Sequence, residues 1–481
     1  VFCAFLRLYN LELRTVHHDE AVYASFVQGI LRNGNYQYDA EYHGPVLFFL
    51  DALAFRIFGE RVLSLRIFPA IFGIIILFLL IPLRKYIGDK SVLALAFFIA
   101  ISPMYEYFAR FGFHETLYLF FMLLLIISIF RYTETQRKIF FYLCAFTSAM
   151  LFSIKEVSYF IVPVIFSFFP LRSLFSHIRT EFSEKKNLFK AIAVGVKNFI
   201  SESIVWVKKH AKEIIISVVI FLFIFIMLYS CFFRYPENLK KAFTQPIIHS
   251  LTKAVERSGH NKPFTYYLSL AAKLDIFVVF FAIIGLFINR KNTFSKFLIY
   301  ISSLTILVMS ITPYKTPWNG MFVLFFLMLI SVLPIEKIFE LFKGRRFAAA
   351  ALISIIAFST FATMIRINFV DHSIDARNPL AYAHAGKGME EAMAEIIKNY
   401  PTNTSMIISA TEVSYWPIPW YLRDYTNTGY YGELPENVDY EIVIVSMGQN
   451  ETFLSRAKYN YSQSEFETHP GTRFAVFSRK Y

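Results

Sequence analysis

The sequence predicts an all-α polytopic membrane protein with about eleven transmembrane helices and a small C-terminal extracytoplasmic α/β domain. Three observations predict it. Apolar residues make up 56% of the 481-residue chain, Phe alone contributes 56, and mean hydropathy is +0.47. Apolar runs long enough to span or nearly span a bilayer recur from about residue 62 to about residue 365. Beyond about residue 371 the runs shorten to strand length and alternate with a helical pattern.

The chain begins at Val1 inside an apolar run, which reads as an N-terminally incomplete first span and not a signal peptide. Two elements too short or too polar to span come next. Asp19 is expected to cap a helix running to about Arg32 and closed by Gly34. Its apolar rows are Val22, Phe26, Ile30 and Tyr23, Val27, Leu31, with Glu20, Gln28 and Arg32 facing elsewhere. Residues 46–58 form a second apolar stretch, interrupted by Asp51 and Arg56. Both are read as helices lying along the outer membrane interface.

Spans are then expected at roughly 62–83, 91–108, 116–130, 139–154 and 157–171, and again near 214–233, 266–288, 297–312, 318–335 and 347–365. Residues 172–212 carry nine Lys/Arg interleaved with Phe, Ile, Val and Trp206, as expected of a basic amphipathic element on the cytoplasmic membrane surface. Residues 234–265 are expected to be an external loop.

The formal charge of +13 does not imply nucleic acid, because Lys and Arg collect in short loops between apolar runs. That distribution reports topology and contact with anionic membrane lipids. Arg84/Lys85/Lys90, Arg131/Arg137/Lys138, Arg290/Lys291/Lys296 and Lys337/Lys343/Arg345/Arg346 alternate with loops holding single basic residues, Arg110, Lys155 and Lys315. The positive-inside rule makes the first set cytoplasmic and turns residues 14–61, the 234–265 loop and everything after about 366 outward. Cys3, Cys144 and Cys231 lie in apolar segments without CxxC spacing and are expected to be packing residues.

In the C-terminal part, Gly386–Ile397 reads as a helix, and Ser405–Ile408 and Tyr440–Ser446 as buried strands. The domain is bounded at 371–481, after a transmembrane part at 1–370. Sequons at Asn403, Asn450 and Asn460 fit an external location.

The chemistry concentrates near the start. Thr15–Tyr23 contains His17, His18, Asp19 and Glu20, and Asp39–Pro45 contains Asp39, Glu41 and His43. Ionisable groups are costly to desolvate at a membrane boundary, so such clusters point to a site. Outside the cytoplasm little nucleotide is present as an activated donor, and this chain has no nucleotide-binding glycine loop. A transferase there needs a donor that crosses the membrane, such as a lipid phosphate carrying a sugar. Displacement of that phosphate needs a base for the acceptor hydroxyl and cations for the departing phosphate. The predicted outer side holds both kinds of residue.

Arg7–Leu11 followed by His17–Glu20 resembles the first external loop of the type-C glycosyltransferases, which include protein O-mannosyltransferases and aminoarabinose transferases using polyprenyl phosphate donors. Within these, the chain is similar to an archaeal and bacterial group identified as flippase-activity-associated. Matching stretches are Tyr42–Leu47, Phe108–Phe111, Lys155-Glu156, Tyr314–Trp318 and Trp416–Asp424, so the likeness runs over nearly the whole chain.

The resemblance implies a catalytic role for the acidic first loop, placed on Asp19 with Glu20. It implies a supporting acid and base at Glu41 and His43, where this chain has Gly44-Pro45 in place of two prolines. Arg110, Lys155 and Lys315 would hold donor phosphate, with Glu115 beside them and Trp318 offering a ring face to sugar. Simpler readings stand beside these: Asp19 as a cap, Arg110 snorkelling, Lys155 paired with Glu156 as a topology marker, and Trp318 at the interface. Asp19 and Glu41, with His17 or His43, can ligate a divalent cation. The expected partners are a polyprenyl-phosphate-linked sugar, a protein or glycan acceptor and membrane lipids. The alternative function is a flippase or flippase accessory for lipid-linked sugars, and a further one is a scaffold presenting the external domain.

Overall fold

The computed structural model describes residues 1–481 except 186, 256–259, 289–291, 372–376, 383, 412–413, 470 and 481. Arg290 and Lys291 of the cytoplasmic basic set lie outside the described residues. By internal contacts the chain divides into two compact units: Val1–Leu8, Tyr36–Leu50 and Phe68–Met364 in one, and Tyr9–Asn35, Asp51–Ile67 and Ile365–Tyr481 in the other.

The first unit is helical and holds most of the apolar runs. Among the described residues six helical stretches are long and apolar enough to cross a membrane: Val62–Ile87, Glu115–Thr135, Ser158–Glu184, Ala211–Tyr229, Thr293–Ile311 and Pro317–Leu341. Two further apolar pairs are bent, Asp89–Ile101 with Pro103–Ala109 by 63° and Tyr266–Leu274 with Ile276–Gly285 by 114°. Ser102-Pro103 makes the first break, since proline has no N–H to extend the preceding helix. Counting each pair once gives up to eight spans. The expected runs 139–154 and 347–365 correspond to the shorter apolar helices Lys138–Phe152 and Ser354–Val370. This is a multi-pass membrane protein.

Two segments hold more helix than the sequence pattern showed. Within the expected external loop 234–265, Glu237–Val255 is a 19-residue helix. The basic segment is two helices. Ser158–Lys185 runs on from its span, and Leu188–Lys209 returns beside it after an Asn187 cap that accepts from the Lys190 N–H. Gly195 allows this approach, since a Cβ there would stand 2.8 Å from the Ile178 backbone nitrogen.

The second unit contains a five-stranded mixed sheet of order β2-β1-β3-β5-β4. Its strands are β1 Met406–Ser409, β2 Thr428–Tyr431, β3 Ile442–Ser446, β4 Tyr461–His469 and β5 Thr472–Arg479. β1 pairs in parallel with β2 and β3, whereas β5 is antiparallel to β3 and to β4. Alternate residues serve opposite cores, as a strand's period of two requires. Ile408, Ile444 and Phe474 pack with Met389 and Met393 of the Lys387–Asn399 helix, while Ile407, Val443 and Phe477 pack with Phe453 on the other face. Burial on both faces explains why the strands read as unbroken apolar runs. Of the sequon residues, Asn403 and Asn460 are exposed and Asn450 is half-buried.

Candidate active site

In the first unit the segment 36–45 is tied to the turn between Lys138–Phe152 and Ser158–Lys185. The Gly44 N–H donates to the Ile154 carbonyl (3.1 Å) and the Val46 N–H to that of Ser153 (3.2 Å). A Cβ on Gly44 would stand 2.1 Å from the Ser153 oxygen, so glycine before Pro45 permits a backbone approach that a second proline would block. Asn238 closes the other side, accepting from the Tyr38 N–H and donating to the Tyr36 carbonyl.

This lacing brings together groups that are distant in sequence. His43, with φ of 72°, places Nδ1 2.7 Å from Glu156 Oε2, and the Tyr38 hydroxyl donates to Glu156 Oε1 at 3.0 Å. Lys155 pairs with Glu115 and not with adjacent Glu156, and its ammonium lies 5.6 Å from the centre of the Phe322 ring. His114, one residue before Glu115, stands edge-to-face with His43 at 5.0 Å and meets the Gly44 carbonyl through Nε2 at 3.3 Å. Burial pushes the Glu156 carboxyl up to about 7, against the opposing pull of Lys155 and Tyr38. Burial, assisted by the Lys155 charge, holds the His43 imidazole below its usual range. The pair therefore holds its proton preferentially on the carboxyl side near neutrality.

The other basic groups of this unit are anchored. Arg110 is buried and donates to the Leu6 carbonyl. Lys315 is buried, donates to the Thr312 and Lys262 carbonyls, and its turn pairs with 260–262 through backbone bonds. Trp318 packs against Phe113 at 5.3 Å. Glu41 is exposed, and its N–H donates to Asp39 Oδ1.

In the second unit the helix at the acidic motif spans His18–Gln28, continues as a π-helical turn Gly29–Asn33 and closes at left-handed Gly34. Its N-cap is His17, not Asp19: His17 Nδ1 accepts from the Asp19 N–H at 2.9 Å, and Glu20 accepts from the His17 N–H at 3.1 Å. This is a capping box with imidazole in place of hydroxyl. Asp19 is left in the first turn, half-buried and close enough to Tyr382 to help burial raise that phenol above its usual range.

Glu20 does not face solvent; it is fully buried in a two-pronged ion pair with Arg66 at 2.7 and 2.6 Å. The remaining Arg66 donors reach the carbonyls of Leu11, Arg14 and Thr15. A guanidinium fork suits such a site because all its donors are satisfied in one plane. Glu20 thus helps hold in place the backbone that carries His17 and Asp19. His17 also pairs through its backbone with His384 of the C-terminal part, the two rings 5.0 Å apart, and His18 lies 6.4 Å from Trp416.

Sequence reading missed Arg66 and Tyr38, and placed His114 beside Arg110 and Glu115 without giving it a role. Arg66 was detectable as a lone cation in an apolar run, which requires a buried partner. Among the described residues no group of three or more His, Cys, Asp or Glu side chains can hold a metal ion. His17 already uses its Nδ1 lone pair.

A family profile described as dolichyl-phosphate-mannose-protein mannosyltransferase matches residues 42–206, the stretch that holds His43, Arg110, His114, Glu115, Lys155 and Glu156. The fold matches that of ArnT from Cupriavidus metallidurans, solved bound to undecaprenyl phosphate, at a TM-score of 0.67 over 99% of this chain and 96% of that one. Residues 42–206, about a third of the chain, thus resemble the dolichyl-phosphate-mannose-protein mannosyltransferases. Identity to ArnT is 11%, so that likeness establishes the fold. The oligosaccharyltransferase of Archaeoglobus fulgidus gives a TM-score of 0.58 at 13% identity, over 100% of this chain and 73% of its own. An uncharacterized protein of Aquifex aeolicus is 27% identical over 181 residues, which is 35% of this chain and 36% of the relative.

Proposed function

We propose that this protein is an inverting membrane glycosyltransferase. It moves a sugar from a polyprenyl or dolichyl-type phosphate to an acceptor hydroxyl, of a protein or a glycan, on the extracytoplasmic face. The observation that carries the reading is the coincidence of the mannosyltransferase profile with the buried His43–Glu156 and Lys155–Glu115 pairs. Buried titratable pairs are costly and seldom add net stability, so their retention in an apolar helical unit favours a functional role. The undecaprenyl phosphate bound by ArnT supports a lipid phosphate as leaving group.

In the reaction the acceptor oxygen forms a bond to the anomeric carbon as the bond from that carbon to the phosphate oxygen breaks. The acceptor proton passes to Asp19, and the lipid phosphate departs with the electron pair. Lys155, Arg110 and Lys315 are assigned to phosphate charge, Trp318 to the sugar face, and His43 with Glu156 to the proton balance beside Lys155. Glu41 supports His43 from the same segment. The positive-inside asymmetry supports an outward-facing C-terminal part.

Purified protein in vesicles, given a polyprenyl-phosphate sugar labelled in the sugar, tests this reading. Transfer to acceptor with inverted anomeric configuration is expected. Label that changes leaflet while still on the lipid would instead identify a flippase.

A further inference from the structure

A cavity of about 910 Å³ opens among five helices of the transmembrane unit: Glu115–Thr135, Lys138–Phe152, Ser158–Lys185, Leu188–Lys209 and Ala211–Tyr229. None of the residues assigned to transfer lines it. Its size lies at the upper end of small-molecule sites. The walls are apolar, with Phe141, Phe166, Phe199, Trp206 and Phe221 prominent.

Three features say what it takes. The first is charge at the rim. Arg137 follows the lining residue Gln136, Lys208 and Lys209 follow lining Val207, and Lys212 precedes lining Ile214. All four cations are exposed. The neighbouring acids Glu134 and Glu213 are already matched by Lys85 and Lys138, and Glu202 in the wall is bonded to His177 and Ser173. The rim is therefore net positive.

The second feature is a pair of hydroxyls. Ser148 and Ser217 line the cavity, and neither Oγ has a hydrogen-bond partner among the described residues. Helical serine ordinarily bonds back to a preceding carbonyl, as Ser128 and Ser230 do here. Ser217 lies five residues, or roughly 7.5 Å of helix, below Lys212. The third feature is the returning helix Leu188–Lys209, whose Ile200, Ile204 and Val205 stay exposed beside the opening, as expected of a helix bordering lipid.

We propose that this cavity is a binding site for a two-chain glycerophospholipid of net negative charge. The acyl chains fill the aromatic pocket past Ser148, a glycerol-linked oxygen accepts from Ser217, and the phosphate rests on Arg137, Lys208, Lys209 and Lys212. A single-chain polyprenyl phosphate supplies the phosphate but not the glycerol-linked oxygens below it. The site is separate from the transfer chemistry and stands whether or not the transferase reading holds.

Trp206 makes the site observable. Full-length protein in detergent is titrated with phosphatidylglycerol or phosphatidylcholine brominated on the acyl chains, because bromine quenches indole at short range. Phosphatidylglycerol is expected to quench saturably, with Trp206→Phe removing the saturable part. Phosphatidylcholine should bind on the order of tenfold more weakly, and Lys208→Gln with Lys209→Gln should cost phosphatidylglycerol a similar factor. Ala145→Phe, which fills the pocket and leaves the rim intact, should abolish saturation. Equal quenching by both lipids, quenching indifferent to Ala145→Phe, or displacement of phosphatidylglycerol by equimolar undecaprenyl phosphate would each overturn the assignment.

Discussion

His43 Nδ1 and Glu156 Oε2 stand 2.7 Å apart although 113 residues separate them in sequence. The contact exists because Gly44 lets the 36–45 segment press its backbone on the Ser153–Ile154 turn. A proton shared beside Lys155 sets the charge that a lipid phosphate would meet.

This pair predicts a pH dependence. Glu156 titrates at about 7, above an ordinary value of 4.5. Below about 7 its carboxyl is neutral; above, a carboxylate appears beside Lys155, the proposed phosphate ligand, and opposes anion binding. Donor KM is therefore expected to rise with pH through about 7, and Glu156→Gln to flatten that rise. Because the folded protein holds this proton more tightly than the unfolded chain, the stability it adds is full below 4.5 and is lost as pH rises through about 7. Initial rates against donor concentration from pH 5.5 to 8.5 (roughly the window spanning this titration) check the point.

Gly44→Ala forces a Cβ against the Ser153 carbonyl oxygen. Backbone cannot give way as a flexible side chain can, so a loss on the order of 1–3 kcal/mol or more is expected. The His43–Glu156 contact should go with it. Thermal unfolding in detergent and loss of the pH inflection together report both effects.

Arg66 is satisfied by one carboxylate and three carbonyls. Arg66→Ala leaves Glu20 buried without its cation and should destabilise by about 3–5 kcal/mol. Arg66→Lys should recover only part of it, since an ammonium cannot form the two-pronged contact. Glu20→Gln should lower folded yield while leaving pH dependence unchanged, which separates a positioning role from a catalytic one. Fluorescence-detected gel filtration of heated membranes measures each.

Much of this was legible in advance, for identifiable reasons. The helix expected at 46–58 forms at Val46–Phe58, and the strand expected at 440–446 forms at Ile442–Ser446, because their apolar patterns match element length and burial. The helix Glu237–Val255 was hidden by its Lys, Glu and Gln content and by Pro246, which read as loop. The cap at His17 was missed because imidazole is not among the favoured N-cap groups. Lys155 and Glu156 adjoin in sequence, yet their side chains leave the turn in different directions, one to Glu115 and one to His43. Such choices depend on elements 40 or 113 residues away, which no local pattern encodes.

Lys155→Gln removes a cation from the proposed phosphate site and should raise donor KM on the order of 10- to 100-fold. Glu115→Gln keeps that cation and frees it from its carboxylate, so donor affinity should stay at wild-type level or improve. Competition of undecaprenyl phosphate with labelled donor for the purified variants distinguishes these outcomes.

The central claim is transfer to an acceptor hydroxyl with Asp19 as base. The most direct measurement is the single-turnover rate of sugar release from a labelled polyprenyl-phosphate donor by wild type and Asp19→Asn, both shown folded by gel filtration. The account predicts release from wild type and a loss on the order of 100- to 10,000-fold in the variant, with undecaprenyl phosphate binding retained. Release at an undiminished rate from Asp19→Asn would contradict it.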